Sequence, residues 1–367
     1  MNDDKYIAIY RRFRPETFDK VLGQEHIVKI LKNQIANDTV GHAYLFCGTR
    51  GTGKTTVARL LAKGVNCLSE TMKPCGICDN CKDIKNGTFV DVIEIDAASN
   101  NGVDNIRELR ESVKYPPSAG RKKVYIIDEV HMLSKEANNA LLKTLEEPPE
   151  NIIFILATTE PNKLPATILS RCLKFDFRRI PAAEIIRGMK DICNEIGVSV
   201  DDESLALLST NADGSVRDGL SILEQCVSAA DGKITRELIL DVIGSPGDDL
   251  LAGITGYVMN GQTAEALVAL DKMLSQGKDE RRIMEDWIEY YRSVLIIKFV
   301  PKPENVINRS LENIESIREF SSKMNVNFIN KSIYELSKVH NDSRWSAHPR
   351  ILLEMYIIEM SQGRKES

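Results

Sequence analysis

The run Gly48-Thr49-Arg50-Gly51-Thr52-Gly53-Lys54-Thr55-Thr56 constrains this chain more than any other. A glycine, four residues and then Gly-Lys-Thr is the spacing of a phosphate-binding loop. The glycines let the backbone curl until several N–H groups face one cluster of phosphate oxygens. Lys54 supplies a point charge for the β- and γ-phosphates, and Thr55 supplies a hydroxyl ligand for Mg²⁺. The flanks suit the motif. Ala43-Tyr44-Leu45-Phe46-Cys47 predicts a buried strand leading into the loop. Residues 56–63 predict a helix leaving it, with its positive dipole end facing the phosphates. The bland alternative is a glycine-rich turn between strand and helix, and the full pattern in this context outweighs it.

The second half of such a site is Val124-Tyr125-Ile126-Ile127-Asp128-Glu129. A continuous apolar run is the mark of a central parallel strand. Two carboxylates follow at its C-terminal end, where ligands bind in open α/β sheets. Asp128 is placed to hold Mg²⁺, and Glu129 to polarise an attacking water. Acidic residues also end ordinary strands, but after a phosphate loop at this distance the pair carries weight. Residues 151–157 predict another buried strand, ending at Thr158-Thr159. A hydroxyl there can orient water beside the γ-phosphate or simply cap the strand. Further strands are predicted at 89–95 and 173–177. Helices are predicted at 25–36, at 104–113 and after Ser134, which can cap the helix that Pro148-Pro149 stop.

From Pro181 onward only helices are expected. Ser215 and Asp218 have the spacing of a capping box. Arg217 sits in the first turn of that helix, where a cation opposes the dipole, so an external anion such as a nucleotide phosphate would suit it. A solvated surface arginine is the alternative. Arg171 falls in a loop with no carboxylate of its own nearby, which suits a residue offered to a partner. Beyond the linker Gly244-Ser245-Pro246-Gly247, the residues Met284, Trp287, Ile288, Tyr291, Val294 and Leu295 form an apolar stripe that reads as core.

Cys67, Cys75, Cys78 and Cys81 form a cluster of their own. Two overlapping C-x-x-C steps with a fourth cysteine upstream can give four thiolates to one tetrahedral Zn²⁺. With four protein ligands such a site is closed and structural. An iron–sulfur cluster is the chemical runner-up, and a redox pair would need only one C-x-x-C.

With 367 residues the chain is long for one domain. Hydrophobic content of 43% and charged content of 28% are those of a globular protein. No apolar stretch is long enough to span a bilayer, and the first residues lack the basic start and apolar core of a signal peptide. A cytoplasmic protein is expected. The net charge of −5 excludes a wholly basic nucleic-acid binder, so any DNA contact must come from a local patch or from an assembly. Ser99, Asn100, Asn101 and Arg107 are candidates, because polar side chains at a helix start can grip phosphates. The aromatic-and-arginine segment around Tyr10 and Arg11 could pack over a base or lie as a polar strap.

Taken together, the strand–loop–helix, acidic pair, threonine strand and helical region describe an ATPase of the AAA+ type. The inserted knuckle, Ile127-Asp128-Glu129-Val130-His131-Met132-Leu133, Leu141-Leu142-Lys143-Thr144-Leu145-Glu146-Glu147-Pro148-Pro149 and Ser170-Arg171-Cys172 closely resemble the gamma/tau family of bacterial DNA polymerase III clamp loader subunits. The resemblance implies an α/β P-loop NTPase domain with a parallel sheet over 1–179. A zinc knuckle is inserted at about 64–85, a helical lid follows over 180–243, and an all-α collar covers 244–367. It implies a motor subunit that hydrolyses ATP to load a sliding clamp onto primer–template DNA. Its partners would be delta, delta-prime and further gamma/tau copies in a five-membered ring, with polymerase core and helicase bound through a C-terminal extension. Carried over by position, Thr158 is the first sensor, Arg171 the arginine finger and Arg217 the second sensor. Tyr10, Arg11, Val21, Leu22 and Gly23 lie where that family contacts adenine and ribose, and the four cysteines are zinc ligands. A stand-alone P-loop kinase, a non-catalytic scaffold of the same fold and a zinc-dependent DNA-binding module are the alternatives.

Overall fold

The computed structural model describes residues 6–100, 102, 108–109, 111–303, 306–307 and 311–362. Asn101, Arg107 and much of the helix expected over 104–113 lie outside these residues. Two compact units divide the chain, 1–192 with 212–221, and 193–211 with 222–367.

The first unit is built on five parallel strands: β1 (Ala43–Cys47), β2 (Val92–Asp96), β3 (Lys123–Asp128), β4 (Ile152–Thr158) and β5 (Leu173–Asp176). Their spatial order is β2-β3-β4-β1-β5. Side chains of a strand alternate between faces. Tyr44 and Phe46 of β1, with Ile153 and Ile155 of β4, pack on the helices Glu25–Ala36 and Lys54–Asn66. Ala43, Leu45 and Cys47, with Phe154 and Leu156, pack on the helix Lys135–Glu146 through Ala137, Leu141 and Leu145. Both faces are therefore apolar, which is why these strands read as unbroken hydrophobic runs. Each fully buried large side chain of this kind contributes about 1.5–3 kcal/mol over its exposed state.

The register places the site. Cys47 lies opposite Thr158 of β4 and Asp176 of β5. Beyond the strand, Gly48 N–H donates to Thr158 O at 3.2 Å, and Phe177 N–H donates to Cys47 O at 2.7 Å. The phosphate loop, the acidic pair and Thr158 thus all emerge at the carboxyl edge of the adjacent strands β1, β4 and β3.

Some boundaries differ from the sequence reading. The strand expected from Phe89 begins at Val92. Asp91 turns inward instead, 1% exposed, and accepts from the N–H groups of Ser118, Ala119 and Gly120 at 3.0, 2.6 and 2.7 Å. Burial works against its charge, but those N–H bonds outweigh it and hold the carboxyl below the usual range. The strand expected to end at Phe177 stops at Asp176, while the acidic strand ends at Asp128 with Glu129 just beyond it.

The second unit is not helical throughout. Ser199–Val200 (β6) pairs in parallel with Lys233–Ile234 (β7). A two-residue strand is too short to show a period, so the expectation of helices only was wrong here. Beyond the short helix Arg236–Val242, the described residues form the helices Asp248–Met259, Thr263–Ser275, Glu280–Phe299, Leu311–Ser322, Val326–Ser343 and Pro349–Gln362. Met284, Trp287, Tyr291 and Val294 are fully buried in their common core, while Ile288 and Leu295 are partly buried against it. The Trp287 indole N–H donates to Thr255 Oγ1 at 2.8 Å, so its one polar group is satisfied inside. Among the described residues, no helix is long and apolar enough to cross a membrane.

Candidate functional site

The helix after the phosphate loop starts at Lys54, two residues earlier than expected. Lys54 is only 6% exposed. Its Nζ donates to the carbonyls of Gly48 at 2.8 Å and Thr49 at 2.9 Å, so the ammonium already lies inside the curl of the loop. Burial lowers its pKa, and the Glu129 and Asp128 carboxylates pull the other way. Thr55 Oγ1 donates to Asp128 Oδ2 at 2.7 Å. Two hard oxygen ligands side by side, one from each half of the motif, fit Mg²⁺.

Glu129 follows β3 in the left-handed region, φ 47°, where a residue other than glycine is strained. That turn aims its carboxylate at the end of β4. Oε2 accepts from Thr159 Oγ1 at 3.0 Å and Thr159 N–H at 3.3 Å, and lies 3.4 Å from His131 Nδ1. Thr158 Oγ1 lies 3.0 Å from the same His131 nitrogen and accepts from Glu160 N–H at 3.0 Å. The two threonines therefore divide the work: Thr159 holds the glutamate, and Thr158 meets the imidazole. Sequence reasoning singled out neither Thr159 for Glu129 nor His131 for both. The signal available was the threonine pair at a strand end, with no way to assign its partners.

Arg217 stands with its guanidinium 5.1 Å over the Tyr10 ring, and Arg11 Nε donates to Tyr10 OH at 3.1 Å. Val21 packs against the core of the first unit. Leu22 reaches Gly188, and a side chain at Gly23 would meet Ile180 and Pro181. Gly51 has φ +75°, and a Cβ there would lie 1.8 Å from Ser215 Oγ, so only glycine lets the loop approach the start of the Arg217 helix. Only half of the expected capping box forms. Asp218 N–H donates to Ser215 Oγ at 3.2 Å, but Ser215 N–H goes to Ala212 O. Arg50 Nε lies 4.0 Å from Asp218.

Arg171 corrects the sequence reading. It does have a carboxylate nearby: Nη2 lies 2.7 Å from Glu146 Oε1, and Nη1 donates to Thr167 O at 2.9 Å. The short helix Ala166–Leu169 brings the loop back to the end of the helix Lys135–Glu146, and the chain between them hid that proximity. Both partners are a third to a half exposed, so the pair contributes about 0–1 kcal/mol.

Three family models cover most of the chain. DNA polymerase III, delta subunit, matches 23–181; the clamp loader subunit ATPase lid domain matches 184–232; and gamma and tau domain III matches 234–365. The chain is 45% identical to DNA polymerase III subunit tau of Bacillus subtilis over 99% of its own length and 64% of that protein's. With the tau subunit of Escherichia coli it shares 42% identity, over 81% of the chain and 46% of the relative. With DNA polymerase III subunit gamma of Buchnera aphidicola subsp. Schizaphis graminum it shares 37%, over 96% of the chain and 98% of the relative. The chain belongs to the DNA polymerase III gamma/tau family. It spans about half to two thirds of the tau proteins it matches.

In this gamma/tau chain the four knuckle cysteines converge. Their Sγ atoms lie within 4.8 Å of one another, and Cys67 and Cys78 Sγ are 4.0 Å apart. A tetrahedron with Zn–S bonds of about 2.3 Å has edges of about 3.8 Å, so the spacing suits zinc. All four are free thiols. Cys75 N–H points at Cys67 Sγ at 3.4 Å and Cys78 N–H at Cys75 Sγ at 3.3 Å, yet burial still raises the Cys67 and Cys81 thiols. Burial raises the Cys75 thiol, but N–H bonds from Cys78 and Ile77 outweigh it and bring it down to about 6. The loop proposed for DNA is partly occupied with itself: Ser99 Oγ and Asn100 Nδ2 both donate to Asp96 O, at 3.3 and 3.1 Å.

Proposed function

We propose that this chain is an ATP-hydrolysing motor subunit of the DNA polymerase III clamp loader. Together with delta, delta-prime and further gamma/tau subunits in a ring, it uses hydrolysis to place a sliding clamp on primer–template DNA in the cytoplasm. The observation that carries the reading is the 2.7 Å contact between Thr55 and Asp128 at the sheet edge from which Lys54 and Glu129 also project, in a chain of this family. Lys54 balances phosphate charge. Thr55 and Asp128 hold Mg²⁺, which when bound screens the phosphates and polarises the γ-phosphoryl. Glu129 accepts the proton of the attacking water, and Thr158 orients that water. Gly48, Thr49, Arg50, Gly51, Thr52, Gly53 and Thr56 wrap the phosphates, while Tyr10, Arg11, Val21, Leu22 and Gly23 contact adenine and ribose. Arg217 reaches the bound nucleotide from its own helix, and Arg171 reaches a neighbour's. In domain terms, 1–179 does the chemistry, 180–243 is the lid and 244–367 holds the ring. Polymerase core and helicase dock on segments that the longer relatives carry.

The deciding measurement is ATP turnover by the chain alone, with the other clamp loader subunits, and then with clamp and primed DNA. Turnover should be slow alone and rise at each addition. A rate indifferent to partners, clamp and DNA would leave only a nucleotide-binding scaffold.

The knuckle is assigned structural zinc. Purified chain should carry about one zinc per molecule by elemental analysis. Cys78→Ser should lower both zinc content and thermal stability while ATP affinity stays near that of the wild type. Protein prepared without chelator and free of zinc would count against the assignment.

A further inference from the structure

The Gln24 side chain joins three separate parts of the first unit: the start of its own helix, Arg178 and the phosphate loop. It is 0% exposed. Its backbone is fixed at the start of the helix Glu25–Ala36, where its carbonyl accepts from Ile27 and Val28 N–H at 3.0 Å each. Its amide pairs with the backbone of Arg178 as a strand neighbour would. Nε2 donates to Arg178 O at 2.7 Å, and Arg178 N–H donates to Oε1 at 3.2 Å. Nε2 also reaches Thr52 O in the phosphate loop at 3.4 Å. A buried amide has two donors and an acceptor, and here all are engaged.

The contact continues past Arg178. Ile180 N–H donates to Gly214 O at 3.0 Å, and the next residue, Ser215, caps the helix that carries Arg217. Gly51 of the phosphate loop touches the same Ser215, closing the circuit. A displacement of the loop by an entering phosphate thus has two rigid routes to Arg217, one through Ser215 and one through Gln24 and Arg178.

We propose that Gln24 is a positioning residue that couples occupancy of the phosphate loop to the placement of Arg217. The inference rests on the nucleotide-binding reading above. Its energetic content is a coupling between two sites, so the test is a double-mutant cycle. Affinity for a fluorescent ATP analogue is measured on the full chain for wild type, Gln24→Met, Arg217→Ala and the double variant, below the melting temperature of each. Gln24→Met keeps the volume but leaves Arg178 and Thr52 backbone groups unpaired. It should weaken binding about 10-fold, and Arg217→Ala should then add little further loss. Effects that simply multiply, or a Gln24→Met variant that binds as the wild type, would overturn the coupling.

Should Gln24→Met fold poorly, Gln24→Glu serves instead. An ionised carboxylate faces two carbonyl oxygens, whereas the neutral acid can donate to Arg178 O and accept from its N–H. Burial raises such a carboxyl's pKa above the ordinary carboxylate range. Affinity of Gln24→Glu should therefore recover as pH falls, a profile that a general packing defect would not give, and a flat profile would overturn the inference. Lys54→Ala is the control for the underlying reading. If it binds the analogue as the wild type does, the nucleotide site itself is misassigned. If it loses binding while Gln24 variants keep it, only the coupling fails.

Discussion

Glu129→Gln should bind ATP nearly as tightly as the wild type and lose most of its turnover, by about 10²- to 10⁴-fold, the usual worth of a positioned general base. The geometry allows this separation. The glutamate oxygen that Thr159 holds at 3.0 Å can be replaced by an amide oxygen accepting the same bond, so the side chain need not move. What the amide lacks is the ability to take a proton from water. Lys54→Ala should fail earlier, at binding, because the buried ammonium within the loop is gone. Equilibrium nucleotide binding and single-turnover hydrolysis on the assembled complex separate the two. Normal turnover by a Glu129→Gln complex would remove this residue from the chemistry.

Arg171→Ala should leave the variant's own nucleotide binding intact and lower hydrolysis at the neighbouring subunit by about 10³- to 10⁵-fold, the range of arginine fingers in P-loop enzymes. A guanidinium is always charged and presents a planar fork suited to a γ-phosphate. The Glu146 contact gives the competing account a definite form. If Arg171 only ties its loop to the helix end, Arg171→Ala costs about 1 kcal/mol of stability or less and turnover is unchanged. Mixed rings decide the matter. Interfaces pairing a wild-type Arg171 with a wild-type Glu129 should turn over, and interfaces lacking either should stay silent. Equal loss of basal activity in the isolated chain would place the arginine in its own site or nowhere.

The central strands were legible because burial on both faces leaves no polar interruption, as in β1, β3 and β4. The cysteine cluster was legible because its ligands lie close in sequence and their spacing is itself the geometry. Features that depend on a distant backbone were not. Gln24 reads as an ordinary polar residue before a helix, and nothing local reveals that its partner is Arg178. Arg171 and Glu146 are joined only once two helix ends meet in space. Asp91 looks like one residue of a strand until the loop 118–120 folds over it. Gln24 and Asp91 satisfy backbone groups that have no partner in regular structure, and such demands are invisible before the chain is folded.

The strand order has a consequence for synthesis. β1 carries the phosphate loop, yet its two sheet neighbours are β4 and β5, more than a hundred residues further along. At about 5–20 residues per second, a ribosome takes on the order of ten seconds to deliver them. During that interval Ala43–Cys47 is an apolar segment with both hydrogen-bonding edges open, the kind of segment that invites aggregation. The knuckle cysteines, by contrast, emerge within one short stretch and can capture a metal ion at once. The nucleotide site is thus a late product of translation, completed only when β4 slots between the acidic strand and the loop, while the nearby cysteine cluster can be among the first parts to close.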